Sequence, residues 1–158
     1  MSYPTGGQVR INGIPTTNLN TKLLRKRIAS LSYHDHLIFG SVMENIQMGR
    51  SFDTAQIISL AESIGLVPYV LNLKDAYQTV LNPEAGTLDR QLVTLVLLCR
   101  ALLDQPAVLL WDLQTHYLSD TNLKLVMAYF KDHYKGTIIL ASAQLKSPAA
   151  QLENLRIC

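Results

Sequence analysis

The chain has 158 residues, of which 48% are hydrophobic and 16% are charged, and its formal net charge is +2. This length allows one domain with a substantial core and is too short for two ordinary domains. The small net charge gives no case for binding nucleic acid or an anionic membrane, and no apolar run approaches the ~20 residues of a transmembrane helix. Ordinary soluble domains carry roughly a quarter charged residues, so the low charged fraction indicates apolar surface kept for a partner.

The first third of the sequence predicts a hairpin, a short surface helix and a short strand. Val9 and Ile11 alternate with polar residues before Asn12-Gly13, a dipeptide typical of hairpin turns. The leucines of Thr17–Ile28 lie at helical spacing among basic residues, with Asn20 or Thr21 as the cap. A strand over 29–32 and a loop over 34–40 follow.

The middle of the sequence predicts mainly helices. Val42–Met48 ends at Gly49, Asp53–Ile64 ends at Gly65, and 67–73 is a further short helix. A loop over 74–87 leads to Asp89–Leu103, which is apolar nearly all round and is therefore expected to be buried.

The stretch Leu103–Leu118 contains the central predicted strand. Its apolar run, Ala107–Trp111, predicts a strand buried on both faces that ends on Asp112, and acids at such strand ends lie where open α/β sheets bind ligands. A helix over 120–134, opening at Ser119 or Asp120, a buried strand over 138–141, and a polar linker over 144–158 that ends in the start of a strand complete the chain. The predicted class is α/β, with helices inserted between strands.

Six segments, in order from Tyr3 to Cys158, carry a family resemblance. They are YPTGGQVRINGIP, LRKRIASLS, FGSVMENI (39–46), YQTV (77–80), CRALLDQPAVLLWD (99–112) and GTIILAS (136–142). Together they resemble the nucleotide-binding domain of exporter-type ATP-binding cassette (ABC) proteins, and the fifth resembles its Walker B region. The resemblance implies one ABC ATPase-like domain over 1–158. It would have a P-loop NTPase-like sheet core (1–40 and 104–158), truncated at its N-terminus, and an inserted helical subdomain (41–103).

The resemblance also assigns family roles to single positions, and nearly all of them carry a different residue here. No G-x-x-x-x-G-K-[ST] phosphate loop occurs in the sequence. The Q-loop glutamine is replaced by Tyr33, the catalytic glutamate by Leu113 and the switch histidine by Ala143. The signature Leu-Ser-Gly-Gly-Gln falls on Leu88, Asp89, Arg90, Gln91 and Leu92, which removes two glycines and places a carboxylate where phosphate would lie. Only the magnesium-binding aspartate is kept, as Asp112.

The resemblance implies ATP and Mg²⁺ as cofactors, but these replacements speak against their binding by this chain. Phosphoryl transfer depends on positioning and electrostatics, and losing one such group costs roughly ten- to a thousandfold in rate. We therefore expect no ATP hydrolysis by this chain alone. The favoured interpretation of Asp112 is a helix-capping or strand-end acid in a vestigial site, with a magnesium ligand as the alternative.

Other candidate residues have a structural interpretation beside the functional one. The His34-Asp35-His36 run is interpreted as a solvated loop rather than a metal site. The basic residues of the first helix are interpreted as a solvated face rather than a binding patch. Cys99 and Trp111 are expected in the core, and two cysteines, with Cys158 the second, decide little about redox compartment. His116 and His133 receive no catalytic role.

Three functional hypotheses follow. The first is a degenerate nucleotide-binding domain on the cytoplasmic side of the membrane, whose partners are the transmembrane domain of an exporter and a second nucleotide-binding domain. The second is a pseudo-ATPase module that serves regulation or assembly without transport, and the third is a nucleotide binder completed by a loop from another chain. Both ends look cut relative to the family, which favours a fragment. The open sheet edge left by a truncated core predicts self-association as a homo-oligomer.

Overall fold

The computed structural model describes residues 6–11, 13–141 and 155–157. The strands are β1 Arg10–Ile11, β2 Ile14–Pro15, β3 Ile28–Leu31, β4 Gly40–Ser41, β5 Val80–Leu81, β6 Val108–Asp112, β7 Thr137–Ala141 and β8 Leu155–Ile157. The α-helices are α1 Thr21–Arg27, α2 Val42–Gln47, α3 Thr54–Ser63, α4 Val67–Leu71, α5 Arg90–Leu102 and α6 Asp120–Asp132. Short 3₁₀ turns cover 16–18, 76–78 and 83–85. The mixed α/β class predicted from the sequence is confirmed.

A four-stranded parallel sheet in the order β3-β6-β7-β8 forms the centre of the described structure. The register places Asp112, the last residue of β6, opposite Ala141 at the end of β7. Leu109 and Trp111 on β6 are buried, but Leu110 between them is 39% exposed. The prediction that this strand is buried on both faces is therefore wrong, because its side chains alternate between a packed and a partly open face.

Capping side chains set where the helices begin. Asn20 accepts hydrogen bonds from two amides of α1, as predicted, and Ser41 and Glu44 form a reciprocal capping box at α2. Asp89 caps α5 and Ser119 caps α6. The hairpin is also confirmed, since β1 and β2 pair with Ile11 opposite Ile14.

The predicted loop over 74–87 contains structure that the sequence did not indicate. Val80 and Leu81 form β5, which pairs antiparallel with β4. A strand of two residues has no alternation to read, and its formation depends on a partner about 40 positions away in the chain. Leu81 is 1% exposed, so this small ladder also anchors the segment in the core.

The buried side chains form one hydrophobic cluster across sheet and helices. It includes Leu31, Ile46, Leu95, Trp111 and Phe130, and Trp111 meets Phe130 edge-to-face at 6.1 Å between ring centroids. The expected burial of α5, Cys99 and Trp111 is confirmed. Among the described residues, no helix is long and apolar enough to cross a membrane. The boundaries at 40 and 104 between core and helical subdomain stay a prediction.

Candidate functional site

A cleft of about 360 Å³ opens where the chain leaves the carboxyl ends of β3 and β6. Its walls come from the loop after β3, the segment leading into α5 and the loop after β6. Of the predicted site residues, Tyr33, Leu88 and Arg90 line it. Open α/β sheets bind ligands at this edge, so the cleft has the expected location for a site.

Asp112 ends β6 in a compact turn. Its Oδ1 accepts a hydrogen bond from the Gln114 amide at 2.9 Å, and its carbonyl oxygen accepts one from the Thr115 hydroxyl at 3.1 Å. The side chain is partly buried. These contacts make Asp112 a turn-forming acid at a strand end.

Leu113 and Tyr33 occupy the positions that the family fills with glutamate and glutamine. The side chain of Leu113 is buried, whereas that of Tyr33 is exposed. Leu113 is 2% exposed and belongs to the core, and its amide donates to the Ala141 carbonyl at 2.9 Å. Tyr33 is 70% exposed and meets His34 and His36 edge-on. Neither side chain can place a carboxylate or amide beside Asp112. Ala143 lies outside the described residues.

In the segment matched to the family signature, one side chain caps the amides at the start of α5. Asp89 Oδ1 accepts hydrogen bonds from the amides of Gln91 at 2.6 Å and Leu92 at 3.1 Å. These are the amides that a helix start would otherwise offer to an anion. Leu92 is buried, Leu88 is partly buried and Arg90 is exposed. The Asp89 carboxylate therefore already occupies the N-terminal end of α5, where an anion would otherwise bind.

Gln91 links the signature-like segment at the start of α5 to the start of α6. This link was not predicted from the sequence. Gln91 Oε1 accepts hydrogen bonds from the Ser119 amide at 2.8 Å and from Asn122 Nδ2 at 2.9 Å. Asn122 Nδ2 also donates to the Tyr69 hydroxyl at 2.7 Å. Asn122 is 5% exposed, and an asparagine on a helix gives no sequence signal that it is buried in such a network.

His116 and Thr94 are buried polar residues that line the cleft. His116 is 6% exposed, and its Nδ1 lies 3.0 Å from the Thr115 hydroxyl. Since that hydroxyl donates to the Asp112 carbonyl, it is placed to accept a proton from Nδ1, which leaves Nε2 as an acceptor. No catalytic role was predicted for His116, and in the structure it is a polar group inside the cleft wall.

These residues do not fit Mg-ATP. The described part of the chain contains no group of three or more His, Cys, Asp or Glu side chains able to hold a metal. Asp112 has a turn amide on Oδ1, and Asp89 occupies the α5 amides. A triphosphate at the start of α5 would be repelled by the Asp89 carboxylate. The sequence also contains no glycine-rich phosphate loop to bind it.

Several known proteins similar in sequence are named as ABC transporters or multidrug resistance proteins. The chain is 27% identical over 145 residues to an uncharacterized ABC transporter ATP-binding protein, YknV, of Bacillus subtilis, covering 90% of this chain and 24% of the relative. It is 28% identical over 144 residues to multidrug resistance protein 1 of Entamoeba histolytica, covering 87% of this chain and 11% of that protein. The chain is homologous to ABC transporter ATP-binding proteins. No protein-family model matches it.

A solved ABC protein has the same fold. A bacterial Atm1-family ABC exporter with ATP bound superposes with a TM-score of 0.82 at 20% identity, covering 98% of this chain and 27% of the exporter chain. The ABC homology extends over nearly the whole chain, which spans about a quarter or less of the length of these proteins.

Three large apolar side chains, close in sequence to residues that line the cleft, are exposed. Ile38 and Phe39, in the loop after β3, are 43% and 73% exposed, and Val80, on the strand paired with β4, is 57% exposed. We call these three residues the apolar patch. Large exposed apolar side chains grouped on one surface mark interaction sites.

Proposed function

We propose that this chain is the nucleotide-binding-domain portion of an exporter-type ABC transporter and that it acts on the cytoplasmic side of a membrane. Homology over 87–90% of the chain and the exporter fold support this assignment. The observation that carries the coupling role is the apolar patch, led by Phe39 with 73% of its surface exposed. A transmembrane domain is the partner that would cover it.

In this proposal residues 41–103 form a helical subdomain inserted in a P-loop NTPase-like core made of 1–40 and 104–158. The helices α2–α5 between β3 and β6 support the division. The patch lies where the loop after β3 meets β4 and β5, the junction between the two parts. Family members accept a short helix of the membrane domain at such a groove, so movement of that helix would be passed to both parts.

The proposal includes no ATP hydrolysis by this chain's own residues. A buried leucine at 113 cannot polarise water, and the Asp89 carboxylate repels a phosphate from the α5 start. The chain would then work beside a second nucleotide-binding domain, which supplies the chemistry. Self-association is a further part of the proposal, and β8, an end strand of the described sheet, offers an edge for it.

The test is capture of membrane partners from detergent-solubilised membranes of the source organism by the 158-residue chain. We expect a polytopic ABC membrane subunit to be retained by the wild type and lost with Phe39→Asp, because the carboxylate would be buried without a partner. Leu71→Asp is the matched control, since Leu71 is 67% exposed on α4 and lies outside the patch. Equal retention by both variants would contradict the docking surface.

The alternative is a pseudo-ATPase module that regulates or assembles other proteins without transport. Like the exporter role, this alternative involves no ATP hydrolysis at the candidate site, but the partner would be a soluble protein rather than a membrane subunit. Recovery of soluble proteins alone, again dependent on Phe39, would favour this alternative over the exporter role. Steady Mg²⁺-dependent phosphate release by the purified chain, abolished by Asp112→Ala, would contradict both.

A further inference from the structure

The outer edge of β3 faces a second cleft, which adjoins the candidate site and shares Asp35 and Leu97 with its lining. This cleft has a volume of about 350 Å³, and three consecutive residues of the strand, Ala29, Ser30 and Leu31, line it. Because successive side chains of a strand point to opposite faces, three residues in a row line the same cleft only where it runs along the strand edge. β3 is an end strand of the described sheet, and β6 is its neighbour.

In the described part of the chain, this edge is open at Ala29 and Ser30, whereas Leu31 is buried. Within the described residues, β3 pairs with β6, and no further backbone bond reaches 29–31 from elsewhere. Such an edge is a template for another strand. The four residues of β3 would span about 13 Å at roughly 3.3 Å per residue.

Two cations beside the edge have no ion-pair partner in the described part of the chain. Arg25 and Lys26, near the end of α1, line the cleft and are exposed. The carboxylates that line it are engaged elsewhere, since Asp104 pairs with Arg50 and Asp35 accepts from the Ser32 amide at 2.7 Å. The free charge at the strand edge is therefore positive.

A third cation is fixed in the wall. Arg100 donates from Nε to the Asn45 carbonyl at 2.7 Å and from Nη1 to the His36 carbonyl at 3.0 Å. Burial lowers the pKa of Arg100, yet its guanidinium stays charged because an arginine side chain is not deprotonated in proteins. Its charge adds to that of Arg25 and Lys26 without blocking the β3 edge.

The rest of the lining is apolar. Leu97 and Ala101 from α5 face the cleft with Met48, whose side chain is 43% exposed. An extended segment that presents apolar and acidic side chains alternately would match this lining, with apolar groups on the exposed Met48 and carboxylates toward Arg25 and Lys26.

We propose that this cleft binds an extended acidic segment of another protein, which adds as a strand to the free edge of β3. A second copy of β3 would bring Arg25 and Lys26 of both chains together at one ladder, and like charges placed opposite each other are unfavourable. Charge complementarity therefore selects an acidic partner. This binding is independent of nucleotide and of the apolar patch.

The test uses a fluorescein-labelled peptide in which glutamate alternates with valine, long enough to span β3, titrated with the 158-residue chain. We expect saturable polarisation, weakened at high salt. The double variant Arg25→Glu/Lys26→Glu should weaken binding about tenfold or more. The matched control Lys22→Glu/Arg27→Glu changes the same net charge on the same helix outside the cleft lining and should bind within about twofold of wild type.

A second probe separates strand addition from simple charge attraction. The same peptide with an N-methyl group on every residue keeps its charge and cannot donate to the β3 edge, so its binding should be lost. Amide chemical shifts should move at 29–31 when the unmodified peptide is added. No saturable binding, equal weakening by the two double variants, undiminished binding of the methylated peptide, or shifts confined to 33–39 would each overturn the proposal.

Discussion

The side chain of Gln91 accepts the backbone amide hydrogen of Ser119 at 2.8 Å and thereby ties the start of α5 to the start of α6. The two residues are 28 positions apart. The same oxygen accepts from Asn122, so one amide group satisfies two donors at a partly buried junction. The signature-like segment is thus held by the loop that follows Asp112, within one chain.

Replacing Gln91 with leucine should lower the free energy of unfolding by about 1–3 kcal/mol, because the Ser119 and Asn122 donors would be left without this acceptor. Urea denaturation followed by circular dichroism measures the change. Gln56→Leu on the exposed face of α3 is the control and should shift stability by less than about 0.5 kcal/mol. Equal effects of the two substitutions would contradict a special role of Gln91.

Replacing Arg100 with methionine should destabilise the fold by about 2–4 kcal/mol, since a partly buried guanidinium bonded to the His36 and Asn45 carbonyls and to Asn45 Oδ1 is lost. Arg100→Lys should recover only part of this loss, because an ammonium group cannot reproduce the fork geometry. Arg90→Met is the control, as Arg90 is exposed. Urea midpoints of the three variants give the comparison, and a full rescue by lysine would refute the geometric argument.

Local patterns predicted the helices, the parallel strands and several caps. Asn20 as the cap of α1 and Ser119 as the cap of α6 follow from short-range chemistry, since a side chain satisfies amides two or three residues away. The burial of Cys99 and Trp111 likewise follows from apolar runs. Where neighbours in sequence decide the structure, the sequence is sufficient.

Contacts between distant segments were not predictable in this way. Arg100 bonds with residues 55 and 64 positions away, and Gln91 bonds across 28 and 31. The resemblance placed Asp89 at a phosphate position, but the structure was needed to find that it caps α5. For the candidate site, the residues that differ from the family could be identified from the sequence. The contacts that each of them makes could be seen only in the structure.

Stability should fall in alkaline solution between about pH 9 and pH 12. Burial raises the pKa of Cys99 from its ordinary 9.0 to about 12 and that of Tyr134 from 10.0 to about 12. The folded chain keeps these protons to higher pH than the unfolded chain. Because the unfolded state therefore binds fewer protons in this range, the free energy of unfolding falls as pH rises. Urea midpoints across the range measure the decline.

The matched variant is Tyr134→Phe. It loses the hydroxyl that donates to the Pro106 carbonyl at 2.6 Å, so it should be less stable at neutral pH. It should nevertheless lose stability less steeply above pH 10, since one group with a raised pKa is gone. An unchanged alkaline slope would show that Tyr134 titrates alike in the folded and unfolded states.

Introducing the family's glutamate at Leu113 should unfold the chain rather than activate it. Leu113 is 2% exposed within the core, and an unpaired carboxylate there should cost about 3 kcal/mol or more. Gln114→Glu, one residue further on an exposed side chain, is the control and should leave stability within about 0.5 kcal/mol. Thermal unfolding and Mg²⁺-dependent phosphate release are measured on both. A stable Leu113→Glu protein that released phosphate would mean that position 113 can turn toward Asp112, and the proposal of a chain inert by its packing would be wrong.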